Sequence, residues 1–135
     1  CEAAGIFGFD LLIACPSGYA PDPTWIAKGH GRVRLTSDPK EAVQDAQIVT
    51  TDVWASMGQE SEANKRIKAF KHFQVTPELL DYASANVRFL HCLPAHEGEE
   101  ISRGLFDDPR THTVWVQAGN RLHAQKALLE YLLAG

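Results

Sequence analysis

The sequence predicts an α/β fold, a three-layer arrangement around a mainly parallel, doubly wound sheet. Three observations carry that reading. Short β-rich apolar runs alternate with helical stretches, capping residues followed by proline mark the helix starts between them, and no repeat, low-complexity tract or linker divides the chain.

Taken in order, Glu2 to Phe7 read as the tail of a helix whose preceding strand is missing, so the sheet is expected to lack its first strand. Phe9 to Ala14, Arg32 to Thr36, Gln47 to Thr51, Val87 to Cys92 and Thr113 to Val116 are the expected strands. Asp22-Pro23, Asp38-Pro39 with Glu41, and Thr76-Pro77-Glu78 each place a capping side chain before a proline at the first helical position, where its missing N–H costs nothing. Lys65, Arg66, Lys68, Lys71 and His72 surround Ile67 and Phe70 at helical spacing, which gives the wet face of an amphipathic helix. Asn120 to Leu133 form a terminal helix with Leu122, Leu129 and Leu133 near one stripe and Leu128 and Leu132 beside it.

Composition narrows the function classes. The 135 residues suffice for one domain but are short for an enzyme that must enclose two substrates, and 44% hydrophobic with 22% charged residues is ordinary for a folded soluble protein. A formal net charge of -4 argues against nucleic acid as a partner, since displacing counterions from phosphates needs a concentrated Lys/Arg excess. No apolar run approaches the roughly 20 residues of a membrane span, so no membrane partner is expected. Cys1, Cys15 and Cys92 make an odd set without C-x-x-C, which fits a reducing compartment and predicts a cytoplasmic protein.

In an open parallel sheet, ligands bind beyond the carboxyl ends of the strands. Two of the expected strands end in polar clusters, Thr51-Asp52-Val53-Trp54-Ala55-Ser56-Met57-Gly58 and His91-Cys92-Leu93-Pro94-Ala95-His96, and parallel strands would bring both to one crevice. Each residue alone has a plainer explanation. Asp52 could cap the next helix, Ser56-Met57-Gly58-Gln59 could form a capping box, and Cys92 could be a small core hydrophobe. His91, Cys92 and His96 match no tetrahedral zinc spacing and no fourth ligand is evident, so neither metal nor cofactor is expected. Gly5-x-x-Gly8 and Gly29-x-Gly31 lack the glycine patterns of nucleotide loops.

Together, TDVWASMGQE at 51–60, HCLPAHEGEE at 91–100 and NRLHAQKALLEYLL at 120–133, with FDLLIACPSGYAPDPTWI before them, resemble the second half of ornithine carbamoyltransferases over nearly the whole chain. The resemblance implies a Rossmann-like ornithine-binding domain over residues 1–135, incomplete at its amino end and without the carbamoyl-phosphate domain. It implies the substrates L-ornithine and carbamoyl phosphate, and a trimer in full-length relatives. By motif position, Asp52 would bind the α-amino group of ornithine, with Ser56 and the Met57 backbone completing the amino-acid pocket. Cys92 and the Leu93 backbone would lie near the carbamoyl group and the attacking δ-amine, and Arg121 would reach the carbonyl oxygen of carbamoyl phosphate.

Two positions depart from the family pattern: Gly119 stands where relatives usually have Glu before Asn-Arg, and Glu97 where they often have Arg. The phosphate loop of the amino-terminal domain falls outside this sequence, so the chain alone is expected to lack transferase activity and to self-associate. Two other readings stand beside this one: a non-catalytic module presenting its terminal helix, and a carbamoyltransferase for another amine.

Overall fold

The computed structural model describes residues 1–55 and 60–134. The chain alternates helices and parallel strands: α1 (Glu2–Phe7), β1 (Leu11–Ala14), α2 (Pro23–Ala27), β2 (Val33–Thr36), α3 (Pro39–Val43), β3 (Ile48–Thr51), α4 (Glu60–Phe70), α5 (Pro77–Leu80), β4 (Arg88–His91) and α6 (Thr113–Leu133). Capping chemistry sets the helix starts as expected. The Asp22 carboxylate accepts the Thr24 N–H at 2.8 Å, Asp38 that of Lys40 at 2.9 Å, and the Thr76 hydroxyl that of Leu79 at 3.2 Å, each before a proline. Gly8, at φ 75°, turns α1 into β1 in a conformation that only glycine adopts at no steric cost.

Hydrogen bonding divides the strands into two parallel pairs. Leu11 to Ala14 lie in register with Val33 to Thr36, and Ile48 to Thr51 with Arg88 to His91. The main core surrounds the second pair, where Phe89, Leu80, Ile101 and Leu105 are fully enclosed. Burying side chains of this size contributes about 1.5–3 kcal/mol apiece. Val75 stitches a distant loop to this core: its N–H donates to the Glu100 carbonyl at 2.9 Å, and its own carbonyl accepts from Ser102 N–H at 2.9 Å. Arg110 adds a polar clasp, donating to Asp108, to Asp81 at 2.8 Å and to the Pro77 carbonyl at 3.1 Å.

Two expectations need correction. Thr113 to Val116 are not a strand but the opening of α6, with Val114 buried and Trp115 and Val116 exposed as helical geometry requires. The outward N–H of His91, which a further strand beside β4 would take, donates instead to the side chain of Gln117 on α6 at 3.0 Å. Gly119 consequently sits inside the terminal helix rather than ahead of it. The basic helix is α4, and Lys65 and Lys68 face solvent as expected; Arg66 does not, being half-buried over the Tyr19 ring with its guanidinium carbon 5.5 Å from the centroid.

Candidate functional site

The register of the second pair builds the site. Thr51 lies opposite His91, so the next residue of each strand, Asp52 and Cys92, leaves the sheet at the same carboxyl rim. Their side chains meet: the Cys92 thiol donates to Asp52 Oδ1 at 3.1 Å, and the same oxygen accepts the Val53 N–H at 2.8 Å. Both residues are exposed. The hydrogen bond to the carboxylate raises the thiol pKa above its ordinary value, with desolvation and the carboxylate charge acting in the same direction. At neutral pH Cys92 is therefore a protonated donor, not a thiolate nucleophile.

The chain just past Asp52 is held from behind. Trp54 is buried against Phe70, ring centroids 6.0 Å apart, and Phe70 packs edge-on to Tyr19 at 4.9 Å. Arg66 reaches the Trp54 carbonyl at 3.4 Å. Helix α4 thus clamps the segment just past Asp52 and covers the Trp54 ring. Ser56 and Met57 lie outside the described residues.

Beneath the rim sits an acid–imidazole pair that sequence reasoning missed. His91 is fully buried, and its Nδ1 accepts the Leu93 N–H at 2.9 Å. Since Nδ1 is an acceptor, the ring proton is assigned to Nε2, which donates to Glu100 Oε1 at 3.1 Å. Glu100 is 0% exposed, and the same oxygen accepts the His96 N–H at 2.6 Å. This chain fixes Leu93, whose φ of 56° is uncommon for a non-glycine residue. Glu100 carries no motif spacing relative to His91 and reads as part of a charged loop, so sequence offered only one signal, two adjacent acids after a strand-end histidine.

Arg121 lies on α6 one turn after Gln117, on the same helix face and about 6 Å further along the axis. It is exposed and, among the described residues, has no ion-pair partner. The structure thus joins Asp52, Cys92 and Leu93 in one rim and leaves Arg121 outside their hydrogen-bonded contacts. As for cations, the His91, Cys92 and His96 set does not assemble. Among the described residues, ligand atoms of His96, Glu99 and Glu100 lie within 4.8 Å of one another, close enough to share an ion.

Parallel strands carrying an acid and a thiol at one carboxyl rim define the small-ligand layout of an open α/β domain. The chain belongs to the aspartate/ornithine carbamoyltransferase family: residues 1–132 match its Asp/Orn binding domain. It is 60% identical over 134 residues to an ornithine carbamoyltransferase of Chromohalobacter salexigens, covering 99% of this chain and 44% of the relative. It is 58% identical over 132 residues to an anabolic ornithine carbamoyltransferase of Pseudomonas aeruginosa, covering 98% and 43%. Among solved structures, an ornithine carbamoyltransferase of Thermus thermophilus superposes with a TM-score of 0.85 at 42% identity, over 98% of this chain and 42% of that one. The chain thus spans less than half the length of the relatives it matches. No helix among the described residues is long and apolar enough to cross a membrane.

Proposed function

We propose that this chain supplies the amino-acid-binding half of an enzyme that transfers the carbamoyl group of carbamoyl phosphate to the δ-amine of L-ornithine, giving L-citrulline and phosphate. The observation that carries the reading is the Cys92 thiol held on Asp52 at 3.1 Å, at the rim where an open α/β sheet takes its ligand. Family membership and relatives named ornithine carbamoyltransferase support it.

In this reaction a neutral amine attacks the carbonyl carbon, a C–N bond forms, the C–O bond to phosphate breaks, and the amine sheds a proton. Negative charge develops on the carbonyl oxygen and must be met by a donor. Asp52 binds the α-ammonium of ornithine through its outward oxygen, a charge-assisted contact of about 1.5–3 kcal/mol. Ser56 and Met57 complete the amino-acid pocket. Cys92, as a neutral donor, and the Leu93 backbone, pinned by His91, border the reacting carbonyl. Arg121, on the helix that also carries Gln117, supplies the permanent positive charge for the carbonyl oxygen.

The phosphate grip belongs to the remainder of the longer enzyme, so the isolated chain turns over no substrate. A cytoplasmic setting, a homo-oligomeric whole enzyme and a role in making arginine belong to the same reading, the last supported by the name of the anabolic relative. The test is calorimetric titration of the whole enzyme, with carbamoyl phosphate present, against L-ornithine, N-acetylornithine and putrescine. L-ornithine binds most tightly because only it offers Asp52 a free α-ammonium beside a carboxylate; equal affinities would remove ornithine as the substrate.

A non-catalytic interaction module is the second reading, favoured by the leucines left exposed along α6, Leu122, Leu128, Leu129, Leu132 and Leu133. Citrulline formation by the whole enzyme, lost in Asp52→Asn, would eliminate it.

A further inference from the structure

The loop after β4 turns back on itself at His96 to Glu100. The Glu99 N–H donates to the His96 carbonyl at 3.0 Å, the Gly98 N–H to the Ile101 carbonyl at 2.7 Å, and the Gln74 side chain to the Glu99 carbonyl at 2.7 Å. Gly98, at φ 91°, supplies the left-handed residue of the turn. These bonds gather the side chains of His96, Glu99 and Glu100, with one ligand atom of each within 4.8 Å of the others. Acidic groups at a surface often lie close together without holding an ion.

Glu100 separates this cluster from an ordinary acidic turn. Its side chain is fully buried, and its two oxygens are used unequally. Oε1 accepts from the His91 ring at 3.1 Å and from the His96 N–H at 2.6 Å, whereas the buried Oε2 has no hydrogen-bond partner among the described residues. A buried carboxylate oxygen without a donor is costly and calls for a partner. Oε2 faces the half-exposed His96 ring, whose Nδ1 lies 3.9 Å away, too far for a hydrogen bond. Four-coordinate zinc holds nitrogen and oxygen ligands at about 2.0–2.2 Å, which sets two of them about 3.4 Å apart. Closing the 3.9 Å gap by about half an ångström would therefore bring both atoms onto one ion. The chain's own cations leave the position open. Arg103 Nε lies 3.9 Å from where a Cβ on Gly98 would stand, yet Arg103 pairs with neither Glu99 nor Glu100 among the described residues. Glu97, where relatives often carry Arg, adds a further carboxylate to the same loop.

We propose that His96, Glu99 and Glu100 bind a divalent first-row metal ion of the zinc class, through the His96 Nδ1, one Glu99 oxygen and Glu100 Oε2, with water in the fourth position. An imidazole beside two carboxylates suits zinc, whereas calcium and magnesium favour sites built from oxygen alone. An ion there neutralises the buried carboxylate on the side that His91 leaves free. It also ties the 96–100 turn to the strand end that fixes Leu93, because the other oxygen of Glu100 still holds His91. The ligands include neither Asp52 nor Cys92, so the site stands whatever reaction the rim performs.

The test uses the whole enzyme, stripped of metal by a chelator, in a Cys92→Ser background that removes the rim thiol as a competing ligand. Calorimetric titration with zinc chloride should show a site that His96→Ala and Glu99→Gln each weaken at least about tenfold. His96 and Glu99 both reach the surface, so either can be replaced without opening the core. Zinc should raise the melting temperature of the background protein and raise it less in either variant. Cobalt(II) in place of zinc should give the visible bands of a four-coordinate ion without the sulfur charge-transfer band of a thiolate ligand. Unchanged zinc affinity in either variant, a thiolate band, or no zinc binding at all would overturn the proposal and leave water as the partner of Glu100 Oε2.

Discussion

The Cys92 thiol and the Asp52 carboxylate share a hydrogen bond of 3.1 Å across the ends of two neighbouring parallel strands. Because the carboxylate holds the thiol proton, alkylation of Cys92 by iodoacetamide should rise with pH through a midpoint above the ordinary thiol range. Asp52→Asn removes the charge and should move that midpoint down. The sign for stability follows: a thiol whose folded pKa is raised stabilises the fold below its unfolded pKa, and that contribution fades as pH climbs through the raised value. An unchanged midpoint in Asp52→Asn would mean that the contact is absent in solution.

His91 and Glu100 make a second, deeper relationship. Glu100→Ala strands the buried Nε2–H of His91 and the His96 N–H, and should cost about 1–3 kcal/mol in urea unfolding. Glu100→Gln keeps an acceptor and should lose less. Equal losses would show that a carboxamide oxygen cannot take the place of the carboxylate toward His91.

Acid stability should be governed in part by Arg110. The guanidinium holds Asp108 below the usual carboxylate range, so the clasp stabilises the fold above the unfolded carboxylate pKa and weakens as pH falls through the depressed folded value. Arg110→Ala should lower stability by about 1–3 kcal/mol at neutral pH, and the deficit should shrink on acidification toward the depressed value. A deficit that stays constant down to the acid transition would assign the loss to packing rather than charge.

Glycines on two helices should respond in opposite senses. Gly119 lies within α6 with open space around a would-be Cβ, so Gly119→Ala should add about 0.5–1 kcal/mol. Gly5→Ala drives a methyl against the Lys28 carbonyl and should cost about 1–3 kcal/mol. Thermal melts of the two variants shifting in the same direction would contradict the packing of α1.

Arg121 is exposed and unpaired among the described residues, so Arg121→Gln should leave the unfolding midpoint within about 0.5 kcal/mol of the parent. In the whole enzyme the same change should reduce kcat strongly if, as proposed above, this charge is the one that meets the carbonyl oxygen. A large stability loss instead would make Arg121 a structural residue.

By itself the sequence determined the alternation of strands and helices, the helix starts at Asp22, Asp38 and Thr76, and the motifs ending in Asp52 and Cys92, because period, capping and turn chemistry are local. Only the tertiary structure decided what meets what. The Val-Trp-Val run at 114–116 suits a strand as well as a helix, and its fate turned on Gln117 taking the edge N–H of His91. Glu100 became a buried partner because Val75 pulls its loop against the core, a contact across 25 residues of sequence that leaves no periodic trace. The ionisation of Cys92 followed likewise from parallel register, which set an acid 40 residues away beside the thiol.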